Sequence, residues 1–283
     1  MITTKLTELP KSTAELEITI SWDEIKDVYE KIFSEVAGKI EVEGFRKGKA
    51  PKKVIEEKIN KTKVYEEVIK EIVPKAYAKA VSEHKLKPVS SPKIEVVQAK
   101  ENIEWKIKAT LALMPKIILK NYKEKIKEAK SGKAKIWTPG ATEDKKKDSG
   151  KLALEEIIKI LLSEIEIELS DILIAEETNR LLANLVDQTQ KLGLTIEQYL
   201  ISKDKTTENL RSEYAQQAAS NLKLEFALAS IADQENIVVN DKDIENLIEK
   251  AEKPEEKEKL NKERYYLAHL LRQQKTLEFL NNL

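Results

Sequence analysis

A glycine-framed turn at residues 44–51 carries the residue types best suited to binding an anionic partner. Its two glycines can adopt positive φ without a Cβ clash, so the side chains between them can project outward. The arginine offers a planar fork for phosphate or carboxylate, the two lysines add mobile charges, and the phenylalanine suits an apolar notch or a base. The candidate binding residues are Gly44, Phe45, Arg46, Lys47, Gly48 and Lys49.

Residue types that support catalysis or metal binding are scarce elsewhere. The chain has no cysteine, which excludes disulfides, thiol nucleophiles and cysteine metal sites. His84 follows an amphipathic helix, and His269 lies among apolar residues without a spaced partner for a metal. Carboxylate pairs such as Glu155–Glu156 lie on charged helical faces, and no phosphate-binding glycine loop occurs. We therefore expect no catalytic residue, no metal and no cofactor.

Length and charge predict two folded units with different partners. A chain of 283 residues exceeds one typical core, and 35% charged with 5% aromatic residues favours long solvated helices and an elongated shape. The net charge is +4 over residues 1–119, +5 over 120–150 and −9 over 151–283. The basic front is better suited to an anionic partner.

The chain shows no signal of membrane insertion or export. Its amino terminus has no apolar core of signal-peptide length, and no run of about eighteen apolar residues occurs. We expect a cytoplasmic protein without a membrane partner.

The front of the chain predicts an α+β domain over residues 1–119. Apolar residues alternate at 14–20, 94–97 and 103–113, as in half-buried strands. Helical spacing follows Ser21 up to the glycine turn, and it resumes after Pro51 in a short helix and then a longer one that Pro74 should kink or divide. The order β-α-α-β-β predicts an antiparallel sheet covered by helices.

The back of the chain, residues 151–283, predicts an all-α domain of six helices. The first is expected over about 151–168, and Ser170 caps the second. Thr195 and Gln198 form a capping box for the third, the fourth spans about 207–234, Asn240 opens the fifth, and Pro254 begins the sixth. Residues 120–150 lose periodicity and contain Ser-Gly, Pro-Gly and lysine runs, so they are expected to be a linker.

The glycine turn, preceded by Ile40-Glu41-Val42-Glu43, resembles the ribosome-docking loop of the trigger factor family, bacterial chaperones that meet nascent chains at the tunnel exit. Residues 1–119 are similar to the family's ribosome-binding domain. The segments 168–174 and 192–200 are similar to its helical carboxy-terminal domain.

The resemblance implies that Phe45, Arg46 and Lys47 contact ribosomal RNA and an acidic ribosomal protein on the large subunit near the exit tunnel. It also implies that the helical domain holds nascent or unfolded polypeptides, and that two copies can form a homodimer off the ribosome. Core packing explains the candidate client-binding residues equally well. These candidates are Leu181, Leu185, Phe226, Tyr265, Tyr266 and Leu270.

Family members usually carry an FKBP-like prolyl isomerase domain, and the segment 120–150 is too short to contain one. The chain is therefore expected to be a shortened member of the family, an ATP-independent holdase and not an enzyme. Two alternatives remain open, a prolyl isomerase-type foldase of the same family and a general RNA-binding protein.

Overall fold

The computed structural model of the chain describes residues 2–39, 61–134, 152–251 and 253–283. The chain divides into two compact units, Met1–Met114 and Pro115–Leu283. The six candidate residues of the glycine turn lie outside the described residues, and so does the short helix predicted after Pro51.

A four-stranded antiparallel sheet forms the frame of the first unit. Its strands are β1 (Ile2–Leu9), β2 (Thr13–Ile20), β3 (Lys93–Gln98) and β4 (Trp105–Ala112), in the order β1-β2-β4-β3. Every second residue of β2 is buried, as the alternating pattern predicts. The strands predicted at 14–20, 94–97 and 103–113 are confirmed as β2, β3 and β4, except that β4 begins at Trp105 and β3 is exposed rather than half-buried.

Two helices, α1 (Trp22–Lys39) and α2 (Lys61–Glu83), contribute to one hydrophobic core with the inner face of this sheet. Trp105 is fully buried, and its indole nitrogen donates a hydrogen bond to the carbonyl oxygen of Lys100 at 3.1 Å. The rings of Tyr29, Tyr65 and Trp105 lie in a row with centroids 5.3 and 5.9 Å apart. The antiparallel sheet with helices is the fold that the sequence predicts for this region.

Two details of the first unit differ from the prediction. Strand β1 is not in the predicted order, because its side chains are half-buried or exposed and give a weak apolar pattern. Of the two outcomes predicted at Pro74, a kink or a division, division does not occur, since α2 continues from Lys61 to Glu83.

The second unit is mainly helical. Its described residues form eight helices and two short strands, β5 (Ile117–Leu119) and β6 (Ile165–Ile167), which pair antiparallel. The all-α prediction for 151–283 is therefore wrong at β6, where the first predicted helix ends at Ser163. The helices are α3 (Tyr122–Ala134), α4 (Leu154–Ser163), α5 (Asp171–Lys191), α6 (Ile196–Ser202), α7 (Thr207–Gln234), α8 (Asp241–Glu249), α9 (Pro254–Lys262) and α10 (Arg264–Asn282).

The linker prediction for 120–150 is wrong for its first part. Helix α3 occupies residues 122–134, and Tyr122 and Ile126 are buried in a core with Leu161 and Leu280. Tyr122 and Ile126 are one helical turn apart. The many lysines between and after them leave few apolar residues, so the helical period is weak in the sequence. Strand β5 also belongs to the second unit, so the first unit ends before the predicted boundary at residue 119.

Capping side chains mark the starts of α5 and α6. The Ser170 hydroxyl accepts from the amide of Ile172, and Thr195 and Gln198 bond reciprocally at 2.9 and 3.3 Å. The single helix predicted from Pro254 onward is two helices, because the helical conformation is interrupted at Glu263.

Candidate functional site

An open cleft of about 650 Å³ lies in the helical unit and is lined by residues of three helices. Helix α7 packs against both α5 and α10, and the cleft opens where side chains of all three meet. We call this site the cleft. Its lining residues are Glu177, Arg180, Glu225, Tyr265, Tyr266, His269, Leu270 and Gln273.

Helix α10 supplies most of the cleft wall because of its residue spacing. Tyr266, His269, Leu270 and Gln273 recur at intervals of three and four residues, so they share one face of the helix. Leu267 lies on another face and is buried in a core with residues of α8. One face of α10 thus packs against α8, and another face lines the cleft.

Large apolar and aromatic side chains are exposed along this wall. Tyr265 is 92% exposed, Tyr266 57% and Leu270 40%. Contact of these side chains with another apolar group would be favourable, by roughly 25 cal/mol per Å² of apolar surface removed from water. A rim of this kind is typical of an interaction site.

The charged groups of the cleft are largely paired with one another. Arg180 donates from Nε and Nη2 to the two carboxylate oxygens of Glu177 at 2.7 and 2.5 Å, and these bonds raise the pKa of Arg180 above its ordinary value. His269 Nε2 lies 3.5 Å from Glu225 Oε1 and 3.1 Å from Gln273 Nε2. The cleft therefore offers apolar surface with polar groups at intervals.

The exposed apolar and aromatic side chains of the cleft are suited to binding. The lining set contains a histidine and carboxylates, and no serine, threonine or cysteine belongs to that set. In the part of the chain that the structure describes, no cluster of three or more histidine or acidic residues could hold a metal ion.

Three of the six candidate client-binding residues line the cleft, namely Tyr265, Tyr266 and Leu270. Leu185 is buried at 8% exposure, and Leu181 and Phe226 are half-buried and do not line the cleft. The sequence prediction missed Glu177, Arg180, Glu225 and Gln273, and it set His269 aside. Helical spacing from Tyr265 places His269 and Gln273 on the same face, which is the signal that could have found them.

His84 has a structural environment in the first unit. Its Nε2 lies 2.9 Å from the Thr4 hydroxyl, which also donates to Glu83 at 3.1 Å. The contact joins the end of α2 to strand β1.

Two family models together match residues 2–281 of this chain. The model described as bacterial trigger factor protein matches residues 2–136, and the model of the trigger factor C-terminus matches residues 133–281. The chain belongs to the trigger factor family.

Curated trigger factors align with only part of their own length. The trigger factor of Natranaerobius thermophilus is 32% identical over 116 residues, which are 41% of this chain and 26% of that protein. The trigger factor of Shouchella clausii is 31% identical over 189 residues, which are 67% of this chain and 41% of that protein. The matched region therefore spans less than half of these relatives.

A solved structure of the trigger factor chaperone, described for promiscuous substrate recognition in folding and assembly activities, shares the fold. It has a TM-score of 0.68 and 13% sequence identity, and the alignment covers 99% of both chains.

Each helix among the described residues is too short or too polar to span a membrane.

Proposed function

We propose that this chain is an ATP-independent cytoplasmic chaperone that docks on the large ribosomal subunit and holds nascent or unfolded polypeptides. The observation that carries the holding activity is the cleft, where Tyr265, Tyr266 and Leu270 are exposed in a member of the trigger factor family.

Binding at the cleft is weak and reversible in this proposal. Its apolar groups are few, and its cavity is open rather than enclosed, so a bound segment stays partly solvated. A site with few buried anchor groups releases its ligand quickly, which suits a chaperone that must release its client.

The holding activity is tested with a triple variant, Tyr265→Ser with Tyr266→Ser and Leu270→Ser. We expect it to lose most of its ability to delay aggregation of a denatured protein diluted into buffer. Its urea unfolding midpoint should change little, because all three side chains are exposed. Ile118→Ser, which removes an apolar side chain that is 57% exposed on β5, is the matched control and should keep full activity. Full activity in the triple variant would refute a client site at the cleft.

The docking residues in this proposal are Phe45, Arg46 and Lys47, with Gly44 and Gly48 shaping the turn and Lys49 adding a further cation. The match of the amino-terminal family model and the net charge of +4 over residues 1–119 support this assignment. Contacts from cations to ribosomal RNA phosphates would weaken steeply as salt concentration rises.

A charge reversal tests the docking residues. Arg46→Glu with Lys47→Glu is expected to abolish co-sedimentation with large ribosomal subunits at low salt. Lys26→Glu with Lys63→Glu reverses two exposed cations of the same unit and should leave co-sedimentation unchanged. Equal loss in both double variants would indicate nonspecific attraction, and equal affinity for unrelated RNA would favour the RNA-binding alternative.

We further propose that the chain binds its clients without isomerising their prolyl bonds. The two family regions meet at residues 133–136, which leaves no unmatched segment between them for an additional catalytic domain. We expect no acceleration of refolding that is limited by prolyl isomerisation. Acceleration that a single substitution in the cleft abolishes would overturn this proposal.

A further inference from the structure

A small recess of about 20 Å³ adjoins the cleft between α7 and α10. His269 and Gln273 line both the recess and the cleft, so they lie at the boundary between the two spaces. Helix α7 contributes three apolar side chains to the recess lining. They are Leu228, Ala229 and Ala232.

The other polar side chains of the recess are engaged within the helical unit. Arg272 donates from Nε to the carbonyl oxygen of Ile237 at 2.9 Å and from Nη2 to Asp233 at 2.5 Å. Thr276 donates to the carbonyl oxygen of Arg272 at 2.8 Å. In the cleft, Arg180 and Glu177 likewise satisfy each other.

His269 and Gln273 keep unused hydrogen-bonding atoms. Gln273 Nε2 lies 3.1 Å from His269 Nε2, and that ring nitrogen is also the atom nearest Glu225. Within the described residues, neither His269 Nδ1 nor Gln273 Oε1 has a hydrogen-bond partner. Both side chains are half-buried and line the open cleft, so water can reach these atoms and a bound segment can replace it.

The pair leaves at least one donor and one acceptor free. When Gln273 Nε2 donates to His269 Nε2, a neutral ring carries its proton on Nδ1, so Nδ1 is a donor and Gln273 Oε1 an acceptor. Turning the amide over exchanges these roles and again leaves at least one of each. In an extended segment the N–H and C=O of one residue point to the same side, so one residue of a bound main chain complements the pair in either case.

We propose that His269 and Gln273 bind the main-chain N–H and C=O of one residue of the polypeptide held in the cleft. The inference rests on the proposed holding function and adds a recognition element to it. Every polypeptide sequence has main-chain groups, so this contact adds affinity without selecting side chains. The exposed aromatic wall then supplies apolar contact beside a fixed polar anchor.

The test compares a short, uncharged, leucine-rich peptide with the same peptide N-methylated at alternate backbone nitrogens, both carrying a fluorophore. Wild-type protein should bind the methylated peptide about fivefold more weakly, as expected for the loss of one net hydrogen bond. Gln273→Met keeps the side-chain length and removes both polar atoms. It should bind the unmethylated peptide about fivefold more weakly and discriminate little between the two peptides.

Gln274→Met is the matched control on the same helix. Gln274 donates to Glu278 at 2.9 Å, and it is not part of the cleft lining, so this variant should keep the discrimination. His269→Phe gives a second route to the same result, since the ring is retained and its nitrogens are lost. Urea unfolding of each variant identifies loss of fold.

The outcomes separate this inference from the proposed function. If wild-type protein binds both peptides equally while the triple cleft variant binds neither, the peptide-group contact is wrong and the holding function stands. Undiminished discrimination in folded Gln273→Met would also overturn the contact. If wild-type protein binds neither peptide and does not delay aggregation, the holding function itself fails.

Discussion

Lys275 Nζ lies 2.6 Å from Asp243 Oδ2 and so joins α10 to the first turn of α8. The same carboxylate oxygen accepts from the backbone amide of Asn240 at 2.8 Å. The bond from Lys275 is the largest cause that lowers the pKa of Asp243, followed by the bond from Asn240. One charged side chain thus holds a helix start and an interhelical contact together.

This contact predicts a dependence of stability on acid pH. Because the folded pKa of Asp243 is lower than the unfolded value of about 3.9, its stabilising contribution is complete above that value and is lost as pH falls through the folded pKa. We expect Asp243→Asn to lower the urea midpoint near neutral pH and the gap to wild type to close below about pH 4. Urea titrations across this range measure the gap, and a gap independent of pH would contradict the assignment.

Arg272 predicts a second effect on the same helix. Its removal leaves the carbonyl oxygen of Ile237 without its charged donor, so Arg272→Met should lower the free energy of unfolding by about 1 to 3 kcal/mol. Arg211→Met removes an exposed guanidinium with one bond, to Asn179, and should cost less than about 1 kcal/mol. Equal costs for the two variants in urea unfolding would show that Arg272 does not anchor α10.

Helix α3 predicts that part of the expected linker is structurally essential. Ile126 is fully buried, so Ile126→Ala should destabilise the helical unit by about 2 to 5 kcal/mol. Ile118→Ala, at an exposed position of β5, should change stability by about 0.5 kcal/mol or less. Chemical denaturation distinguishes the two. If Ile126→Ala were as stable as wild type, α3 would not belong to the core.

Two glycines predict effects of opposite sign. Gly193 has φ of +72° after the end of α5, so Gly193→Ala should cost about 1 kcal/mol even though a Cβ would meet no atom within 4 Å. Gly38 lies inside α1 with the same open space, and Gly38→Ala should stabilise the first unit by about 0.5 to 1 kcal/mol. Thermal unfolding compares them, and a stabilised Gly193→Ala would refute the role of the backbone angle.

Local patterns in the sequence predicted the elements that bury one face. Strand β2 alternates throughout and β4 alternates up to Leu111, and capping residues at Ser170 and Thr195 mark the helix starts. Strands β5 and β6 have three residues each, which is too short to establish a period. Their pairing joins residues far apart in the chain, and that information is tertiary.

The cleft could be predicted only in part. The spacing of Tyr266, His269 and Gln273 along α10 is visible in the sequence, so helical periodicity predicts that these three residues share one face. Glu177 and Glu225 come from α5 and α7, and their approach to this wall depends on helix packing. Leu185 has the same residue type and helical context as Leu270, yet it is buried, because burial depends on the neighbouring helix.

The helical unit closes its core with residues from both of its ends. Leu280 is fully buried with Tyr122 and Ile126, and Lys130 donates to the carbonyl oxygen of Asn281 across a separation of 151 positions. During translation, the core side chains of α3 stay exposed until Leu280 has left the exit tunnel. For most of its own synthesis, a protein proposed to hold incomplete polypeptides therefore exposes apolar side chains as its proposed clients do.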